Sequence, residues 1–414
     1  MPKDTPIIDP ADRIVSHKAK EIFSMIRRKH EISKLDLLHQ SGLTVSTLTR
    51  VLEDLIASGL IEECGFGAST GGRRPILYRV RPDYGCSLGL DISRVSSRLV
   101  LLDLSGQKLA SQVWDMHDKM TPDVLIKQVI LQINQWKEEH PLLQQQLLGM
   151  GIGAVGPLNR FTGRIEQPEW FQAPGWRQVD IVARFEELLH IPVRLDNGAN
   201  TAIVAESFAD RMKNVRHMLY VHVGIGLRSA MMSDGKLIYG AIDMEGSLGQ
   251  MIIQSDGLPY RTREGNHGCL DTYCSVYAIE RELRSKLRMG RSSCLSSFVK
   301  PNEEVQLKHV LAALRHQDPL TTEIITQAAT YFGIGLANLL NVLHPEKVVL
   351  GGPLMTNHDL YFYTATQTAI RKTYHYPDYQ VVFSKGAFGE EAIAVGAALI
   401  IIDRLSHHNP GLQG

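Results

Sequence analysis

The chain has 414 residues, room for two or three domains at about one per 150. Hydrophobic residues make up 44% and charged residues 21%, which excludes the disordered and fibrous classes. Lysine plus arginine equals aspartate plus glutamate at 44 each, so bulk charge draws the chain neither to nucleic acid nor to membrane. Any nucleic-acid contact must therefore come from a local surface. Residues 1–14 lack the apolar core of a signal peptide, and apolar stretches such as 392–402 are too short and glycine-broken to span a bilayer. Five cysteines (Cys64, Cys86, Cys269, Cys274, Cys294) do not make a disulfide framework, so the expectation is a reduced, cytoplasmic protein.

Residues 16–60 read as three helices. Ala19, Ile22, Phe23 and Ile26 form one apolar stripe at helical spacing. Ser33, three places before Asp36, is a capping-box-like start for a short second helix carrying Leu35 and Leu38. Gly42 supplies a turn, and Thr44 caps a third helix whose inward stripe is Leu48, Val51, Leu52, Leu55 and Ile56. The start of that helix exposes Ser46, Thr47, Thr49 and Arg50. Two helices joined by a tight glycine turn, the second polar at its N-terminus, make a helix-turn-helix. Such a helix fits the major groove, where hydroxyls and an arginine reach base edges or phosphates. A three-helix bundle for protein contacts is the alternative. Residues 60–64 and 76–80 then read as two strands joined by a glycine-rich loop that holds Gly72, Arg73 and Arg74. This is a wing whose arginines suit phosphates or a narrow minor groove, against the plainer reading of a solvated loop pair. Residues 1–80 hold 12 basic and 10 acidic side chains, so contact would rest on geometry and a few residues.

From Cys86 the pattern changes to strands and glycine turns. Residues 86–92, 98–103 and 108–114 predict an antiparallel meander, followed by a helix over 122–139, a strand over 148–154, a helix over 181–189 and a strand over 193–195. Residues 218–223, 229–232 and 236–238 repeat the strand-rich pattern. A long helix over 322–343, a strand over 347–350 and a C-terminal helix after Glu390 follow. A meander preceding alternating helices and strands, twice over, predicts two α/β lobes with a cleft between them.

At these residues the chain resembles the ROK family (repressors, open reading frames and kinases). The matching pieces are 89–92, 149–153 with Gly156-Pro157, 196–200, 224–226, 234–240, 246–249, 268–271, 338–345, 349–352 and 394–398, ten in order. The front module with its wing, 72–75, is similar to the family's transcription-factor branch, which includes N-acetylglucosamine and xylose repressors. The resemblance implies an α/β fold: a winged helix-turn-helix over residues 1–82, then a two-lobed actin-like (ribonuclease H-like) ROK body over 83–414 for effector binding and oligomerisation.

The family's chemistry is largely missing. Its kinases bind ATP phosphates on a glycine-rich turn after the first strand, where the absence of side chains lets backbone N–H groups reach the anion. Here the turn reads Ser93-Arg94-Val95, and Arg228 stands at the last glycine of the second phosphate turn, 224–228. The family's catalytic base follows an asparagine that holds the sugar; here Asn197 is followed by Gly198, which accepts no proton. Asp196 is no substitute, because neighbouring side chains on an extended segment point apart. The sugar motif corresponds to Ser247–Gln250 and a later glutamate to Asp271. Asn197, Arg228, Ser247, Gln250 and Asp271 are therefore the candidate ligand residues. The family zinc positions fall on Gln250, Thr262, Glu264 and Cys269, one ligand where four are needed; a rebuilt set of Glu264, His267, Cys269 and Cys274 does not restore the spacing. No metal and no cofactor is expected.

The resulting reading is a DNA-binding regulator of carbohydrate genes and not an enzyme, with double-stranded DNA and a sugar or sugar phosphate as partners. Thr44, Ser46, Thr47, Thr49, Arg50, Gly72, Arg73 and Arg74 are its candidate DNA contacts. A homodimer or homotetramer is expected, because one module reads one half-site. Membranes are not among the expected partners. The alternatives are a sugar kinase with an appended helix-turn-helix, and an interaction protein whose helical module docks a protein.

Overall fold

In a computed structural model of the protein, the residues described are 9–67, 74–241, 246–262, 265–300, 303–374 and 379–406. They fall into two compact units, Met1–Asn214 with Glu391–Gly414 and Val215–Glu390.

The first unit opens with α1 (His17–Lys29), β1 (Ile32–Ser33), α2 (Lys34–Ser41), α3 (Val45–Ala57), β2 (Ile61–Phe66) and β3 (Ile76–Val80). The apolar stripe of α1 is buried as its spacing predicts, against Leu48, Val51, Leu52 and Leu55 of α3. Ser33 caps α2, its hydroxyl accepting from the Asp36 N–H and donating to the Asp36 carboxylate. Gly42 stops the helix in the left-handed region (φ 64°), where a side chain would be strained. Two apolar assignments need correction. Leu35 is 58% exposed and Leu37 is the buried residue of α2; Ile56 is 37% exposed at the end of α3. An eight-residue helix with leucines at 35, 37 and 38 does not reveal its inward face by spacing alone. The wing strands extend to Phe66, and a short strand the sequence did not reveal, β1, pairs antiparallel with β3 to give a three-stranded sheet in the order β1-β3-β2.

The chain continues as β4 (Cys86–Ile92), β5 (Ser96–Asp103), β6 (Lys108–Asp115), α4 (Pro122–Glu139), α5 (Pro141–Gln145), β7 (Leu147–Ala154), β8 (Leu158–Asn159), β9 (Arg164–Ile165), α6 (Ile181–Leu189), β10 (Val193–Asn197) and α7 (Gly198–Ala209). Five strands form one sheet in the order β10-β7-β4-β5-β6, antiparallel in the meander and parallel from β4 to β10. Side chains alternate across it. Leu88, Leu90, Met150 and Ile152 pack with Val129, Ile133 and Phe185 of α4 and α6. Each such leucine, fully buried, contributes about 1.5–3 kcal/mol.

The second unit holds β11 (Met218–Val223), β12 (Leu227–Ser233), β13 (Lys236–Leu237), α8 (Asp271–Cys274), α9 (Val276–Arg288), α10 (Leu295–Phe298), α11 (Leu307–Arg315), α12 (Pro319–Leu343), β14 (Lys347–Gly351), α13 (Pro353–Asn357), α14 (Asp359–Lys372) and β15 (Val382–Ser384). Its sheet runs β13-β12-β11-β14-β15. Val221, Leu227 and Leu350 share a core with Ile279, Phe332, Leu336 and Ala365 of the covering helices.

The last helix, α15 (Ala392–Asp403), belongs to the first unit and lies on β4 and β7. Glycine makes that approach possible. A Cβ at Gly89 would sit 2.0 Å from the Ala394 carbonyl oxygen, and one at Gly151 would sit 1.9 Å from that of Ala397. All five cysteines are free. No helix among the described residues is long and apolar enough to cross a membrane.

Candidate functional site

The first candidate surface is the start of α3. Thr44 caps the helix, its hydroxyl accepting from the Thr47 N–H at 3.3 Å and sharing hydrogen bonds with the hydroxyls of Thr47 (2.8 Å) and Ser46 (3.3 Å). The four orphan N–H groups and the positive end of the helix dipole lie at this end, beside the exposed hydroxyl cluster. Ser46 and Arg50 are exposed, and Arg50 has no bonded partner among the described residues. Thr47 and Thr49 are half-buried, and Thr49 donates to the Val45 carbonyl at 2.7 Å. Sequence reasoning missed Lys34. Its ammonium donates to the Thr49 hydroxyl at 2.7 Å and brings a charge from α2 to the outer face of α3. Only the packing of the two helices reveals that.

The wing closes at its base through the Gly67 N–H and the Pro75 carbonyl, 2.8 Å apart, and its ladder bulges between Glu63 and Gly65. Arg74 is exposed beside that closure; Gly72 and Arg73 lie outside the described residues. Arg79 is already engaged, by Glu62 at 2.8 Å. The open cations of the described module are therefore few, as the charge count implied.

The candidate ligand residues fall in both units. In the first, Asn197 is buried and caps α7, its side-chain oxygen accepting from the Asn200 N–H at 2.8 Å. Gly198 is the first residue of that helix, so the place of the family's base holds no side chain. Asp196 accepts from the Asn197 N–H and from the Asn200 side chain, both at 2.8 Å. These bonds tie it to the helix cap. At the former phosphate turn Ser93 donates to Asp91 (2.6 Å) and Arg94 to the Glu169 carbonyl (2.8 Å), so the turn is folded upon itself by side chains.

In the second unit Arg228 lies on β12, 7% exposed, and its Nη1 is buried without a hydrogen-bond partner among the described residues. The Ser247 hydroxyl is in the same condition. Gln250 is committed: its side-chain oxygen accepts from the Asn266 N–H at 2.9 Å and its carbonyl from the Asn266 side chain at 3.1 Å. A pair of hydrogen bonds thus ties the loop where the family's zinc motif falls. Asp271 accepts from the Tyr260 hydroxyl (3.1 Å) and faces Arg261 at 3.5 Å, each of the two charged side chains at most 7% exposed. Arg261 in turn donates to the Ile225 carbonyl at 3.2 Å, and its guanidinium lies 3.2 Å from where a Cβ of Gly226 would be. An arginine therefore occupies the second phosphate turn. Burial and the Asp271 charge push the Tyr260 phenol up to about 12, so it stays a neutral donor. Tyr260 and Arg261 escaped sequence reasoning because they reach the turn only through loop closure.

Cys269 is buried with its sulfur 3.1 Å from the Thr272 hydroxyl, Cys274 donates to the Leu270 carbonyl, and His267 is exposed. Glu264 lies outside the described residues. Among those described, no three histidine, cysteine or carboxylate side chains converge as a metal site would.

A winged helix-turn-helix followed by a two-sheet α/β body, with glycine at the base position and arginine in the phosphate turn, is the make-up of a transcriptional regulator built on a sugar-kinase scaffold. The chain belongs to the ROK family, whose profile matches residues 87–404. It is 27% identical over 381 residues to a xylose repressor of Caldicellulosiruptor bescii, covering 91% of this chain and 92% of the relative. It is 24% identical to the DNA-binding transcriptional dual regulator NagC of Escherichia coli, covering 84% and 83%. Among solved structures, a ROK family transcriptional regulator, homolog of the E. coli MLC protein, superposes with a TM-score of 0.76 at 23% identity, over 96% of this chain and 98% of its own. The ROK hexokinase from Thermus thermophilus superposes with a TM-score of 0.61 at 23% identity, over 76% of this chain and 97% of its own. The xylose repressor and the ROK regulator structure thus match 91% and 96% of the chain, whereas that kinase leaves a quarter of it unmatched.

Proposed function

We propose that the chain is a transcriptional repressor of carbohydrate-metabolism genes. In this reading it binds double-stranded DNA through the module of residues 1–82 and responds to a sugar or sugar phosphate through the body, 83–414. The observation that carries the reading is the start of α3, with exposed Ser46 and Arg50 and the capping hydroxyl of Thr44, in a module whose wing bears an exposed Arg74. That arrangement inserts a helix N-terminus into the major groove and sets wing arginines against phosphate or the minor groove. Thr47, Thr49, Gly72 and Arg73 complete the proposed contact set, and Lys34 joins it as a phosphate contact. The effector contacts are Asn197, Arg228, Ser247, Gln250 and Asp271. The buried, unsatisfied Nη1 of Arg228 favours an effector bearing an anionic or strongly accepting group. The xylose and N-acetylglucosamine repressors among its relatives make a pentose or an amino sugar the first compounds to try. The protein works in the cytoplasm as a homodimer or homotetramer, because paired half-sites need paired modules.

The test is capture of genomic fragments on the purified protein at low salt, followed by anisotropy titration of the recovered sites. Specific fragments lost by an Arg50→Ala, Arg73→Ala, Arg74→Ala variant support the reading. Capture of no fragment at low salt overturns it, since non-specific affinity is strongest there. Incubation of hexoses with Mg-ATP is expected to give no phosphorylated sugar above background.

A further inference from the structure

One cluster of contacts between the helix-turn-helix and the rest of its own unit lies at the ends of two helices. Helix α7 is capped by Asn197 and carries Phe208 in its last turn, with Arg211 just beyond. Two guanidiniums lie over the Phe208 ring, that of Arg211 at 3.8 Å and that of Arg27, from α1, at 5.2 Å. The ring is seated against Gly106, where a Cβ would come within 2.6 Å of it. Arg211 also reaches His30, which ends α1. The end of α15 arrives at the same place: Asp403 pairs with Arg27, and Arg404 grips Asp9 through two hydrogen bonds of 2.8 and 2.7 Å. Arg27 therefore meets the ends of both helices.

Helices α7 and α15 are in backbone contact, for a Cβ at Gly396 would lie 1.6 Å from the Thr201 carbonyl oxygen. With no side chain between them to deform, they shift together. Twelve residues of helix span about 18 Å, and the far end of that span is set by the Asn197 cap. The joint itself is incompletely satisfied. Arg27 Nε and Nη2 and Arg211 Nε are buried with no hydrogen-bond partner among the described residues, and two like charges share one ring. Buried donors without acceptors weaken the contact that holds them, so this joint yields before the apolar core does.

We infer that α7 is a transmission rod: a ligand hydrogen-bonding Asn197 displaces the start of α7, and the Phe208–Arg27 joint turns that displacement into a reorientation of the helix-turn-helix. Coupling of this kind requires one element biased from both ends, and α7 is in contact with both. The inference rests on the reading above that Asn197 faces the effector and that the module of residues 1–82 faces DNA.

The test is a double-mutant cycle read by hydrogen exchange on the full chain, with neither DNA nor sugar present. Asn197→Ala removes the cap and is expected to speed exchange of the α1 amides by about five-fold in the wild-type background and by less than about two-fold in a Phe208→Ala background. Phe208→Leu keeps a filler against Gly106 while removing the ring face. It is expected to uncouple equally, and it stands in for the alanine variant should that one unfold. An Asn197→Ala variant that loosens the first turn of α7 and leaves α1 unchanged overturns the rod, as does an equal effect in both backgrounds. Because this cycle uses no DNA, its failure is distinct from a failure to capture genomic fragments.

Discussion

The start of α3 and the former sugar and phosphate sites of the body were both read from short polar motifs, yet their side chains stand in opposite conditions. At α3 the bonds stay within the front module: Thr44 with Ser46 and Thr47, and Thr49 with Val45 and Lys34, while Arg50 bonds with no described residue. In the body three of the five candidate ligand residues bond to the scaffold. Asn197 caps a helix, Gln250 ties down Asn266, and Asp271 is held by Tyr260 and Arg261. The exposed helix start holds its cation uncommitted, whereas the buried body residues serve the scaffold as well as any ligand. Arg228 and Ser247 in addition leave buried atoms without a hydrogen-bond partner among the described residues, a condition that a bound ligand would relieve.

The contrast can be broken by substitution, beginning with the largest effect. Asp271→Ala leaves the Arg261 guanidinium buried without its carboxylate, and a loss of about 3–5 kcal/mol in folding stability is expected by denaturant titration. A stability unchanged from wild type would show that Asp271 is held open for ligand and not committed to the fold. Arg50→Ala should behave in the opposite way, leaving the melting temperature in place while weakening anisotropy-measured DNA affinity by about 1–3 kcal/mol, roughly five-fold to more than a hundred-fold.

Thr44→Ala sharpens the comparison because the residue serves both purposes. Loss of the cap should cost about 1 kcal/mol of stability, and Thr44→Ser should restore it. The smallest effect is a pH slope. Burial and the neighbouring Arg211 lower the pKa of His30 below its ordinary 6.5, with Glu31 opposing. A basic group with a lowered folded pKa binds its proton more readily when unfolded. Its contribution is thus complete above pH 6.5 and fades as pH falls through that value toward the folded pKa. Exchange at α1 should therefore quicken slightly from pH 7.5 to 5.5, and His30→Gln should flatten that response once intrinsic exchange rates are divided out. At lower pH Asp9 takes over. Burial opposes its ionisation, but the Arg404 and Ala11 hydrogen bonds and the Arg404 and Arg194 charges outweigh it and hold the carboxyl below 3.8. Its contribution is complete above that pH and is lost as pH falls toward the lowered value.

Legibility in the sequence followed the range of the interactions. Caps at Ser33 and Thr44, the stop at Gly42 and the stripe of α1 are set within four residues of chain, and they lie where local spacing placed them. Leu35 and Ile56 were misassigned because spacing defines a stripe but not its edges, and the neighbour that covers an edge comes from elsewhere. Strand β1 is two residues long and exists only because β3 lies beside it.

By itself the sequence determined the order of elements, the helix-turn-helix with its wing, and the absence of a proton acceptor at position 198, because glycine has no side chain in any fold. Tertiary structure alone decided that Lys34 reaches Thr49, that Arg261 fills the phosphate turn, and that Arg27 joins α1 to the ends of α7 and α15. Those contacts join residues from 15 to 376 positions apart, and at such separations the partners are chosen by the packing of backbone glycines against helices, which no local pattern encodes.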